Sequence, residues 1–271
     1  MKKVFLLLVW AVFSPCSRLP ASEVEVLEKV AASGDAKAQF LLGVVYAEGR
    51  GVPKNPERAV ELFVKAASGG NPMAQFNIGA MYANGIRFPK DEVKAVEWYQ
   101  KAAAQGEAKA QYNLGMMYEA GRGVPRNDAK AAEWFEKAAD RVNPEAQFKL
   151  GVFHATGRGV PKDDARAVGW YQKAAARGHA AARFNLGAMY ANGFGVPRDI
   201  VRAYAWLNLS MFDDEGARAA RKDLEAKLTP AQKAEANRLS AELAAQFKKE
   251  QEQQAQQQQQ QQQQEQQIRR Q

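Results

Sequence analysis

The chain is nearly without the residues that most hydrolases and metalloproteins depend on. Among 271 residues there is one cysteine, Cys16, and there are two histidines, His154 and His179. A lone cysteine excludes an internal disulfide framework. No spacing of His, Cys and carboxylates suits a metal ion. There is no Gly-x-Ser-x-Gly elbow and no phosphate-binding loop. A long apolar run is missing too: Val4 to Phe13 spans about ten residues, where a bilayer takes about 20. Charge of one sign is nowhere gathered into a block. The 38 Lys and Arg and 30 Asp and Glu give a formal +8, but they are spread along the chain, which argues against nucleic-acid binding. Such a balance suits a solvated surface, or an acidic partner such as an anionic polymer or envelope surface. Asp163-Asp164 and Asp213-Asp214 are paired carboxylates, yet both fall at predicted helix starts, where acidic residues favour the dipole. His179 falls in a column of N-caps with Asp35, Asn71 and Asn143, and His154 replaces a tyrosine predicted to be buried. No catalytic residue, cofactor or metal ligand is assigned.

What the chain does have is a period. Gly43 returns as Gly79, Gly115, Gly151 and Gly187, always 36 residues on. Other columns keep step: Ala38, Ala74, Ala110, Ala146 and Ala182; Tyr46, Tyr82, Tyr118 and Tyr190, with His154 in the fourth unit; Pro53, Pro89, Pro125, Pro161 and Pro197; Ala59, Ala95, Ala131, Ala167 and Ala203; Leu62, Trp98, Trp134, Trp170 and Trp206. Fixed self-similarity at this length is the mark of a solenoid, in which each unit buries its apolar face only against its neighbours. Five units are predicted, over 35–70, 71–106, 107–142, 143–178 and 179–214.

Each unit reads as two helices. Ala74, Ile78 and Tyr82 lie four apart and stack on one helical face. Gly79 falls in mid-helix, at a cost of about 1 kcal/mol against alanine, which predicts the close approach of a second backbone. Glycines at 49, 85, 121, 157 and 193 stop the first helix. Asn55, Asp91, Asn127, Asp163 and Asp199 cap the second. Its buried face is predicted to pair Ala95 with Trp98 and Ala102, and removing a buried tryptophan of that column would cost about 3–5 kcal/mol.

The segments AKAQYNLGMMY (108–118), GRGVP (121–125) and AAEWFEKAA (131–139) resemble the Sel-one-like repeat family, a relative of the tetratricopeptide repeats. The likeness recurs five times over about two thirds of the chain. Unit two departs from it with Gly85-Ile86-Arg87-Phe88-Pro89, and unit one with Leu62 in place of tryptophan. The resemblance implies an all-α fold, a right-handed α-solenoid that scaffolds protein complexes, and no shared reaction. Relatives linked to antibiotic binding carry a cysteine pair in each repeat; this chain lacks those cysteines.

The ends read differently. Met1-Lys2-Lys3, the apolar run and the small residues after it form a secretory signal pattern over 1–21, with cleavage expected after Ala21; an uncleaved anchor or a buried helix is the alternative. Cys16 is placed like a lipoprotein cysteine, but Phe13-Ser14-Pro15 fits that signal badly. Loss of Lys2, Lys3 and Arg18 would lower the formal charge by three, to +5. Residues 22–34 are predicted to form an N-terminal capping helix. Residues 215–249 are predicted to form C-terminal capping helices, the first with Ala217, Leu224 and Leu228 inward, the second opened by a capping box at Thr229 and Gln232. The Gln-rich tail, 250–271, is expected to be disordered or a fraying helix. A self-association arm would need an apolar heptad that is not there.

Residues that vary on one face are the candidates for recognition. Spacing of four, three and four aligns Met73, Asn77, Ala80 and Asn84 on the first helix of unit two. The matching stripes are Lys109, Asn113, Met116 and Ala120; Glu145, Lys149, Val152 and Thr156; and Ala181, Asn185, Ala188 and Asn192. By analogy with tetratricopeptide proteins these would line the concave side. Asn77, Asn113 and Asn185 form a ladder of amides able to pair with an extended peptide backbone, or else to hold successive units together. The expected function is an exported bacterial adaptor, periplasmic or secreted, that binds a protein or peptide partner. The oligomeric state is left open. The alternatives are an enzyme or regulatory subunit acting on envelope glycans, and a secreted effector that binds host proteins.

Overall fold

The computed structural model describes residues 19–210 and 215–270. The signal pattern up to residue 18, Cys16 and Asp213-Asp214 lie outside the described residues. Among the described residues there are thirteen α-helices and no strand. They are α1 (Ala21–Ala32), α2 (Ala36–Glu48), α3 (Pro56–Ser68), α4 (Pro72–Asn84), α5 (Glu92–Ala104), α6 (Ala108–Ala120), α7 (Asp128–Asp140), α8 (Pro144–Thr156), α9 (Asp164–Ala176), α10 (Ala180–Asn192), α11 (Ile200–Ser210), α12 (Glu215–Glu225) and α13 (Pro230–Arg270). The chain divides into two compact bodies between Arg126 and Asn127. The first holds α1 to α6 and the second α7 to α13.

Local chemistry explains why the helices start where they do. The side chains of Asn55, Asp91, Asn127, Asp163 and Asp199 accept the backbone N–H three residues on, in each case at 2.9 Å. Asp35, Asn71 and Asn143 do the same for first helices. His179 takes the fourth such place, its Nδ1 accepting from Ala182 N–H at 3.2 Å. Each cap satisfies a donor that the helix cannot. First helices end on glycines in the left-handed region, such as Gly85 at φ 67°. Val142 stands where units one, two and four have glycine, and its φ of 66° is unusual for a β-branched residue.

In the first body, α1 buries Val24, Leu27 and Ala31 against α2. Leu19, just before it, is 2% exposed. In the second body, α12 buries Leu224, and α13 buries Ala236 and Phe247 with Leu239 and Leu243 partly covered. The capping box is formed: Gln232 Oε1 accepts from Thr229 N–H at 3.0 Å, and Thr229 Oγ1 accepts from Gln232 N–H at 3.3 Å. From residue 250, where disorder or a fraying helix was expected, α13 continues to Arg270. Glutamine is a fair helix former, no glycine or proline interrupts the run, and extending a helix already nucleated by packing is cheap.

Two expectations about the core are corrected. The first concerns tryptophan. Trp98, Trp134 and Trp170 are only half-buried, and the fully covered ring of each second helix lies one residue later, at Phe63, Tyr99, Phe135 and Tyr171. The tryptophans carry lysines instead: the ammonium groups of Lys101, Lys137 and Lys173 lie 4.2, 4.1 and 3.9 Å from the ring centroids of Trp98, Trp134 and Trp170. Three residues apart on a helix, the two side chains share a face. Trp206 differs; it is 6% exposed and stacks on Phe247 of α13. The second concerns the mid-helix glycine. A Cβ on Gly79 would lie 2.8 Å from ring carbons of Tyr99, and farther, at 3.3 Å, from the Ala95 carbonyl. The glycine chiefly makes room for an aromatic side chain, and only secondarily for a backbone.

Candidate partner-binding face

The second-helix ring and the first-helix stripe meet. Tyr99 of α5 is hydrogen-bonded to Asn113 of α6, and Tyr171 of α9 to Asn185 of α10. Burial pushes both phenols above their ordinary range, and the amide donated to the hydroxyl offsets part of that rise. Each tyrosine thus covers the glycine of its own unit and ties to the first helix of the next. Asn77 faces the same column, but there the ring is Phe63, without a hydroxyl; in the third unit Phe135 is matched by Lys149. The asparagine occurs beside a tyrosine in two of these pairs. That 14-residue spacing, Tyr99 to Asn113 and Tyr171 to Asn185, was the available signal for the contact.

A second tie was missed at the sequence level. Gln39, Gln75, Gln111 and Gln147 donate through Nε2 to the carbonyls of Ala31, Ala67, Ala103 and Ala139, at 3.1, 3.2, 3.1 and 3.3 Å. Each bond runs eight residues back, to the end of the preceding helix. In unit five Arg183 replaces glutamine. Its Nε donates to Ala175 at 3.1 Å, its Nη1 to Leu209 at 3.0 Å, and its guanidinium lies 5.5 Å from the Phe247 ring centroid. Burial lowers the Arg183 pKa from its ordinary value.

These ties decide what the stripe can offer a partner. Asn113 and Asn185 are half-buried and engaged; Asn77, Met116 and Lys149 are half-buried. Asn84 and Asn192 are exposed, but each Nδ2 donates to a carbonyl of its own helix, Ala80 and Ala188, at 2.8 Å. Met73, 40% exposed, and Lys109 stand out most freely. Glu145, in the same column, is 3.0 Å from His179 Nε2, whose ring stacks on Phe148 at 4.3 Å. His179 is therefore held as a cap, with Nδ1 on a backbone N–H and Nε2 on a carboxylate. His154 is 7% exposed, and its Nδ1 has no partner among the described residues. No group of three or more His, Cys, Asp or Glu among the described residues could hold a metal ion. No helix among them is long and apolar enough to cross a membrane.

The family model of the Sel1 repeat matches residues 36–71, 72–107, 108–143, 144–179 and 180–210. The chain belongs to the Sel1 repeat family. Sel1 repeat proteins generally mediate protein–protein interaction and are typically non-catalytic. A Sel1 repeat protein from Oxalobacter formigenes is 38% identical over 70% of this chain and 78% of its own, with a TM-score of 0.65. The protective antigen c5321 of uropathogenic Escherichia coli, which displays the same repeat fold, is 34% identical, covering 84% of this chain and 57% of its own, with a TM-score of 0.58. No curated protein matches. The five Sel1 repeats share most of their buried columns, while the tying residues change in places, with Arg183 for glutamine and Lys149 for asparagine.

Proposed function

We propose that this Sel1 repeat protein is an exported adaptor that binds a protein partner along the exposed stripe of its first helices. The observation that supports this best is the contrast within the stripe. Most positions that hold the stack recur from unit to unit, whereas one column of the stripe reads Met73, Lys109, Glu145 and Ala181, the first three exposed and the last half-buried. Met73 and Lys109, both exposed and in the same body, differ in chemistry, and a surface that changes from unit to unit can favour one partner over others. Export rests on the basic, then apolar, then small-residue pattern before Ser22. The test is site-specific photocrosslinking in cells, with the photoreactive residue at Met73 or Lys109 and, as a control, at Glu97 on the outward side of a second helix. Adducts of one defined mass from the stripe and none from Glu97 are expected. Equal adducts from both faces would overturn the reading.

A further inference from the structure

Unit five breaks the rule that a ring covers the repeated glycine. Phe63, Tyr99 and Tyr171 occupy that place against Gly43, Gly79 and Gly151, but Leu207 occupies it against Gly187. Leu207 lies as close to Gly187 as Tyr99 does to Gly79, 2.8 Å from a Cβ built there, but a leucine ends short of where a phenol ring would reach. A cavity of about 250 Å³ remains between α10, α11 and α12. Its lining is mixed: Phe184, Leu207 and Leu224 supply apolar surface, and Arg198, Asp223 and Lys227 supply polar surface. It is smaller than the roughly 300–1,000 Å³ of small-molecule sites, and suits one bulky side chain of a longer segment.

Its polar groups favour an acidic neighbour for that side chain. Lys227 is paired with Asp223 at 2.6 Å. Arg198 donates through Nε to the Ala191 carbonyl at 3.1 Å, and among the described residues no carboxylate pairs with it. The bond at Nε fixes the guanidinium beside the cavity while its two terminal nitrogens keep their donors, the arrangement that suits a carboxylate. Ala188 and Asn192 also line the cavity and belong to the first-helix stripe, so the cavity lies at the unit-five end of the candidate face.

We propose that this cavity is an anchoring subsite for a peptide segment of the partner, taking a bulky apolar side chain in the space left by Leu207 and an adjacent Asp or Glu on Arg198. The proposal rests on the adaptor reading and names the chemistry of one part of it. It is tested by fluorescence anisotropy on the purified full chain, with a labelled peptide of sequence Gly-Ser-Glu-Phe-Glu-Ser-Gly and matched peptides carrying Ala for Phe or Lys for both Glu. Saturable binding of the first peptide, weakened at least tenfold by either change, is expected. Leu207→Tyr restores the ring found in the other units; it should abolish binding without lowering the melting temperature. Arg198→Glu, on the surface, should weaken binding at least tenfold. Absence of saturable binding at millimolar peptide, or unchanged binding to both variants, would overturn the subsite. If that happened while crosslinks from Met73 and Lys109 persisted, the subsite alone would be wrong; loss of those crosslinks would sink the adaptor reading itself.

Discussion

The hydroxyl of Tyr99 accepts from Asn113 while its ring covers Gly79. Removing Asn113 by Asn113→Ala leaves a buried hydroxyl short of a donor, and should cost about 0.5–1.5 kcal/mol. A double-mutant cycle with Tyr99→Phe in chemical denaturation would show the two changes coupled; strict additivity would detach the pair. Tyr99 and Tyr171 have pKa values raised above the ordinary 10.0. Their contribution is therefore complete below the unfolded value and is lost as pH rises toward the folded one, because the unfolded chain ionises first. Melting followed upward through pH 10 should fall more steeply for the native chain than for the double Tyr→Phe variant. The tryptophans give a second comparison. Trp206→Ala, in a covered site, should cost about 3–5 kcal/mol, whereas Trp134→Ala, half-buried beneath Lys137, should cost about 1–2 kcal/mol. Equal losses would contradict the difference in burial. Val142→Gly should stabilise by about 1 kcal/mol, since it relieves a left-handed φ that costs roughly 1–3 kcal/mol; a Cβ at the matching Gly34, Gly70 and Gly178 meets nothing, so the strain lies in the backbone and not in crowding.

The helices themselves were legible because their signals are local. A cap residue, a stop glycine and an apolar spacing of three and four each act within one turn, so these signals and the period placed the ten repeat helices, and the Thr229–Gln232 spacing placed the capping box. Which ring is buried was not legible. Trp98 and Tyr99 are neighbours, both aromatic, and the choice between them depends on where the next helix lies. The same holds for the asparagine ladder: Asn113 and Asn185 could face a ligand or a tyrosine, and only the packed structure puts Tyr99 and Tyr171 within reach. The glutamine ties were visible as a column in the sequence, but a polar residue beside a recurring apolar core reads equally well as surface. The last helix differs again. Phe247 is its last buried side chain among the described residues, and beyond it glutamine propensity carries the helix. Deleting residues 252–271 should lower helical ellipticity while leaving the melting temperature within about 1 °C. A large drop in melting would mean that this arm packs on the body.

At the scale of the whole molecule, the family likeness and the five repeats account for the architecture, and the unequal columns account for what it can recognise. The N-terminus carries its own prediction. Processing after Ala21 would leave Ser22 as the first residue, and would remove Leu19 from its buried place beside Gly51. N-terminal sequencing of exported protein is expected to read Ser-Glu-Val; a start upstream of Leu19 would show that processing spares this contact. The glutamine tie has a wider consequence. Each bond closes a loop of only eight residues, so the order in which the helices come off the ribosome is also the order in which they can be satisfied, and little entropy is lost in waiting for distant partners. A duplicated 36-residue cassette would bring its own glutamine and find an alanine carbonyl already presented to it, which lets such a chain lengthen or shorten by whole cassettes while its interior stays the same.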